Sequence, residues 1–232
     1  MRATAVLVLL SLSAVSRADC PRPEGVKAGS VATRGDAERL KFLSARVTDE
    51  SAAATRWTGG WGGAYGLFTI VQLAVAPLFP EEERPDWYWG AFSTAVGVAF
   101  SILDPLEVLS GGPGFARRAA SATPDSTCAL LADGERMLRE GAAHEATGRK
   151  WYVHLANVLF NAGIGVVLGL AHNRWVSGAI NAAVGLAIGE ATIFTSPNGL
   201  GDALVAYESG APVVTFRVVP AAGPGVGVLL TF

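Results

Sequence analysis

Charge is scarce in this chain. Only 16% of its 232 residues are Asp, Glu, Lys or Arg, where a soluble domain usually carries about 25%. The net charge of −2 excludes the basic footprint of a nucleic-acid binder. Histidine is also rare, at three residues, and cysteine rarer, at two. Scattered this widely, they do not make a metal site. His144-Glu145 followed by His154 lacks the spacing of a zinc-protease helix. Ser110-Gly111-Gly112-Pro113-Gly114 lacks the Lys-Ser/Thr of a phosphate loop. No catalytic, cofactor-binding or metal residue is therefore expected, and an enzyme is the poorest reading of the sequence.

What fills the chain instead is apolar. Half of it is hydrophobic and the mean hydropathy is +0.36. The excess gathers in four stretches, Ala64–Phe79, Trp87–Leu109, Trp151–Leu170 and Trp175–Phe194. Each comes near the roughly 20 residues of a bilayer crossing. Trp57, Trp61, Trp87, Tyr88, Trp89, Trp151, Tyr152 and Trp175 stand at their ends, as an interfacial aromatic belt does. The glycines, 28 in all, fall mostly in or beside these stretches, where a bilayer tolerates them.

The chain also repeats itself. Gly90-Ala91-Phe92-Ser93-Thr94-Ala95-Val96-Gly97-Val98-Ala99-Phe100 returns as Gly178-Ala179-Ile180-Asn181-Ala182-Ala183-Val184-Gly185-Leu186-Ala187-Ile188. Asp36-Ala37-Glu38-Arg39-Leu40 is echoed by Asp133-Gly134-Glu135-Arg136-Met137, and Trp57 by Trp151. Each copy reads as an amphipathic helix followed by an apolar helical hairpin, so one membrane hairpin has been duplicated.

The organisation that follows has six parts. Residues 1–18 read as a signal peptide, with Arg2 as its positive start, Ala5–Val15 as its apolar core and small residues before the cut. Residues 19–35 are a polar, flexible arm. Residues 36–110 are the first repeat, 111–125 a Gly/Pro/Ser linker, and 126–197 the second repeat. In 198–232, Val214, Phe216 and Val218, then Val226, Val228, Leu230 and Phe232, alternate with smaller or polar residues, a period of two that predicts a β-hairpin. Export would place Cys20 and Cys128 in an oxidising compartment, two spans apart and so on one side, which makes them candidates for a disulfide.

Two sets of residues stand out within the spans. Ser93, Gly97 and Ser101 lie at i, i+4 and i+8, as do Asn181, Gly185 and Gly189. Asn161, Gly165 and Gly169 repeat the spacing on the third stretch. Small residues four apart let helices approach closely in lipid. The second set is polar: His154, Asn157 and Asn161 share one face, Tyr65, Thr69 and Gln72 share another, and Glu190 lies within the fourth stretch. Intramembrane ionisable groups mark ion paths, and His154, Asn157 and Glu190 form the candidate cluster. Interhelical hydrogen bonding is the plainer account of them.

Orientation is contested. A cleaved signal puts the arm, the linker and the tail outside, with both copies parallel. The Lys and Arg residues of the arm and central segment belong inside by the positive-inside rule. An outer-membrane destination would remove the conflict.

The Ala/Gly/Arg-rich wording, the tandem helix-hairpin units and the tail ending in Phe232 resemble envelope membrane proteins of GC-rich bacteria. The last nine residues resemble the sorting signal of outer-membrane β-barrels. The resemblance implies an envelope location and no activity. The expected fold is mainly α, a four-helix transmembrane bundle with a C-terminal β-hairpin. The expected role is structural, with the bilayer as partner, a homo-oligomer admitted and no nucleic acid. A channel or transporter subunit is the alternative.

Overall fold

The computed structural model describes residues 19–103, 107–211, 215–220 and 226–231. The expected signal peptide and Phe232 lie outside the described residues.

The described chain is mainly helical. Helix α1, Asp36–Val75, runs 40 residues without a break. Helix α2, Arg84–Leu103, returns alongside it. Helices α3, Glu107–Ala120, and α4, Thr127–Gly148, follow. A second hairpin, α5 Trp151–His172 and α6 Trp175–Phe194, turns on Asn173 in the left-handed conformation. Helix α7, Gly199–Ser209, comes last and ends on Gly210 at φ 70°. The tail backbone of Thr215–Pro220, strand β1, lies antiparallel to that of Val226–Thr231, strand β2, with Phe216 opposite Leu230.

These helices make two layers with opposite chemistry. The first half of α1 packs with α3, α4 and α7 into a head. Its core includes Leu43, Val47, Phe115, Leu131, Leu138 and Tyr207, all fully buried. Leu43 and Val47 share the inner stripe of α1 because they lie four apart. The second half of α1 joins α2, α5 and α6 in a bundle whose apolar side chains point outward. Leu170 is 72% exposed and Ile70 66%. A belt of this kind is not the surface of a water-soluble monomer.

Several expectations are corrected. Four spans were expected, but only three helical runs among the described residues are long and apolar enough to cross a membrane, Asp36–Leu78, Trp151–His172 and Trp175–Ser209. Helix α2 falls short because Arg84, Asp86 and three aromatic residues occupy its first turns. The amphipathic helix and the first apolar stretch, read as separate elements, are one, since α1 runs unbroken from Asp36 to Val75. The linker at 111–125 is helical as far as Ala120, because Val108 and Phe115 bury against the head. The arm at 19–35 is packed: Cys20 and Ala32 are buried, and the Lys27 N–H donates to the Glu208 carbonyl at 2.9 Å. The region after 197 begins with a helix and not with strands.

Candidate functional site

The head is built around a buried cation. Arg39, Leu43 and Val47 lie four apart, so the stripe that buries two apolar residues also buries the guanidinium, at 0% exposure. Its Nη2 donates to Glu135 Oε1 at 2.7 Å and to the Pro21 carbonyl at 2.9 Å. Its Nη1 donates to Asp36 Oδ1 at 3.0 Å and to the Cys20 carbonyl. Tyr207 receives a bond from Arg39 Nε at 3.2 Å and donates to Glu135. One side chain thus ties the arm, α1, α4 and α7 together. A buried charge survives only when paired in this way.

Cys20 and Cys128 are bonded, with their Cα atoms 5.2 Å apart. The bridge pins the arm to the start of α4. Asp36 lies close enough to both sulfurs to suggest a metal group, all ligand atoms falling within 4.8 Å. The sulfurs are already bonded to each other, and the Asp36 oxygens already accept from Arg39 and from the Cys20 N–H. An open groove of about 840 Å³ runs beside the bridge, lined by Lys41, Ser44, Ala45 and Ala119 among others.

A second anchor sits where the head meets the bundle. The Glu145 carboxylate accepts from the Leu200 N–H at 3.3 Å and the Gly201 N–H at 3.0 Å. It therefore caps the positive end of α7. Burial nevertheless pushes its carboxyl up to about 7, against those two bonds, with Glu50 adding to the rise and Arg149 opposing it.

The sequence-derived polar cluster comes together in the second hairpin. His154 Nδ1 lies 2.6 Å from Glu190 Oε2, and the Asn157 amide donates to Glu190 Oε1 at 2.9 Å. Asn161 donates to Asn157 Oδ1 at 2.8 Å. All of it lies between α5 and α6, beginning one turn inside the membrane end nearest the head.

The small-residue rows lie inside each hairpin, and Gly97 and Gly185 do not meet each other. A Cβ added at Gly97 would sit 2.9 Å from the Tyr65 ring of α1, and one at Gly185 would strike Asn161 of α5. A Cβ at Gly90 would strike Gln72, and one at Gly178 would strike the Gly165 backbone and come 3.2 Å from Leu168. The two hairpins are thus equivalent position by position: Tyr65 matches Asn161, Thr69 matches Gly165, and Gln72 matches Leu168. Ser101 faces Gly62, Gly189 faces Asn157 and Gly169 faces the Trp175 ring. Ser93 is half-buried, and Asn181 donates to the Asp86 carbonyl at 3.3 Å.

The hairpins meet where α2 packs against α5 and α6, and through polar contacts at both ends. Trp57 and Trp61 donate their indole N–H to Thr195 Oγ1 at 3.3 and 2.9 Å near the head. At the far end, Arg174 grips Asp86 through Nε, at 2.9 Å to Oδ1 and 2.8 Å to Oδ2. Both hairpins therefore run in the same sense from the head. The sequence reading missed Arg39, Glu135 and Tyr207. Its signal was an arginine in register with Leu43 and Val47.

The chain matches no family model, no curated protein and no solved structure.

Proposed function

We propose that this is a non-enzymatic integral membrane protein of the bacterial cell envelope, with a structural or assembly role. The observation that supports the reading is the division of the fold. A disulfide-closed polar head stands on a bundle whose exposed side chains are apolar. Lipid is the natural partner of that belt, because a bilayer needs helices with satisfied backbones and apolar flanks. We read α2 as the fourth span despite its polar start, since it lies antiparallel to α1 along its length and turns Gly90 and Gly97 toward it. The tail hairpin belongs to the same reading, as an element for contact with other envelope components or another copy.

The polar cluster of the second hairpin does not favour conduction there. From His154 it reaches Asn161, and the next turn is closed by the backbone contact of Gly165 with Gly178. It fits hydrogen-bonded packing within a hairpin.

The test is extraction. The expressed protein should stay with membranes through an alkaline carbonate wash and leave them only in detergent. Recovery in the carbonate supernatant as a monodisperse monomer would refute the membrane assignment. In-membrane crosslinking that yields only monomer would refute the assembly role.

A further inference from the structure

We propose that the polar row of α1, which runs inside the first hairpin and along its edge with α6, is a proton path across the membrane, which goes beyond the structural role above. One face of α1 carries Trp57, Trp61, Tyr65, Thr69 and Gln72 at steps of three or four residues. At 1.5 Å per residue these side chains cover about 22 Å of a bilayer core of about 30 Å.

Each of these residues has its partner on a neighbouring helix. Trp57 and Trp61 meet Thr195. The Tyr65 hydroxyl lies 2.7 Å from Thr192 Oγ1 of α6. Thr69 Oγ1 lies 2.8 Å from Thr94 Oγ1 of α2. The Gln72 amide lies against Gly90, with Asn181 beside it. Asn181 leads to Asp86, whose carboxylate and Arg174 close the far end. The row thus starts at the head-side aromatic belt and ends at an ion pair on the turn side.

Such a row could be no more than packing. The second hairpin is the internal control. It has the same architecture, yet the positions matching Thr69 and Gln72 are Gly165 and Leu168. Leu168 is fully buried, and Gly165 meets the Gly178 backbone. Asn161, which matches Tyr65, is polar in both amide atoms, but from Gly165 to Leu168 a hairpin of this design holds without polar side chains. The first hairpin places them there, and leaves Tyr65, Thr69, Gln72 and Thr94 only half-buried. Glycine at 90 and 97 is what leaves room for the Gln72 amide and the Tyr65 ring.

The chemistry selects the cargo. Hydroxyl pairs at 2.7 and 2.8 Å leave no gap for a hydrated ion or a solute. In both pairs either oxygen can donate, so the polarity of the bond can reverse. A proton taken up by one hydroxyl oxygen releases that hydroxyl's own proton to the next oxygen or to a water. The indole N–H groups and the Gln72 and Asn181 amides do not relay it themselves but hold the waters that carry it between the hydroxyls and the two ends. Rotation of the hydroxyls restores the start. One proton enters, one leaves, and nothing is oxidised or reduced.

The test uses purified full-length protein in liposomes of neutral lipid with a trapped pH dye, a pH step and valinomycin with potassium to clamp the voltage. Wild type should collapse the gradient faster than empty vesicles. Tyr65→Phe keeps the ring over Gly97 and removes only the hydroxyl. It and the Thr69→Val/Thr94→Val double variant should fall to the empty-vesicle rate. Gln72→Leu, which copies the sealed hairpin, should do the same, so one misfolded variant does not decide the matter. Wild type no faster than empty vesicles overturns the proposal and leaves the structural role standing. Variants that melt lower but conduct as wild type overturn it too, since the row would then be packing alone.

Discussion

At the scale of single residues, the glycines and the buried charges give opposite lessons. What a new methyl meets decides the cost at each glycine. At Gly178 it meets the backbone of Gly165, which cannot turn aside. At Gly90 it meets the end of the Gln72 side chain, which can swing away. Gly178→Ala should therefore lower the melting temperature in detergent, at a cost of about 1–3 kcal/mol, as one overpacked site usually does. Gly90→Ala should be milder, and Leu170→Phe, on the lipid-facing surface, milder still. Equal melting points for all three would mean that the backbone contact of α5 with α6 is not close.

Arg39 behaves differently. Its removal leaves Glu135 buried without its cation, and Arg39→Ala should cost about 3–5 kcal/mol. Adding Glu135→Gln should recover part of that loss, because the uncompensated charge is the larger cost. Both effects can be read from thermal unfolding of the purified protein. A single variant as stable as wild type would show the head core to be indifferent to the ion pair.

At the scale of elements, the hairpins were legible in sequence and much of the head was not. Apolar stretches bounded by tryptophan predict the second hairpin almost to the residue, because length and amphipathic ends are what a bilayer selects. The repeat also predicts that Gly97 and Gly185 occupy equivalent places, though not that each faces its own hairpin partner. Helix α3 was illegible because Gly111, Gly112, Pro113 and Gly114 read as a linker. Tertiary packing overrides them: a Cβ at Gly112 would come 3.1 Å from Ser51 of α1 and one at Gly111 2.7 Å from Met137 of α4, so these two glycines serve close approach, while Gly114 faces open space. The arm looked flexible because nothing local orders it. A disulfide and a buried arginine, 108 and about 20 residues away in sequence, order it instead.

Helix α7 carries a pH dependence of its own. The Glu145 carboxyl titrates near 7 in the folded protein and near 4.5 in the unfolded chain. The folded state thus holds its proton more tightly. The stabilisation is complete below about 4.5 and is lost as the pH rises toward 7. Melting temperature should fall across that window. Glu145→Gln, which cannot ionise, should flatten the fall, and a slope unchanged by the substitution would mean that another group carries it.

For the whole molecule, the question is which side the head faces. The Lys and Arg side chains of the head argue for the cytoplasm. The bond between Cys20 and Cys128 argues for an oxidising compartment. The disulfide is the stronger guide, because a bridge spanning 108 residues would be kept open by reducing cytoplasm, whereas charge bias acts weakly on segments that fold as a domain. With the head outside, closing that loop stabilises the fold by about 4–5 kcal/mol in the chain-entropy account. Cys128→Ser should therefore lower the melting temperature and free the arm for proteolysis near residues 19–35. In intact cells, a membrane-impermeant maleimide should label Cys20 of that variant without permeabilisation, since its only partner is gone. Labelling that appears only after the inner membrane is breached would place the head inside, and would leave the positive charges, not the disulfide, as the determinant of orientation.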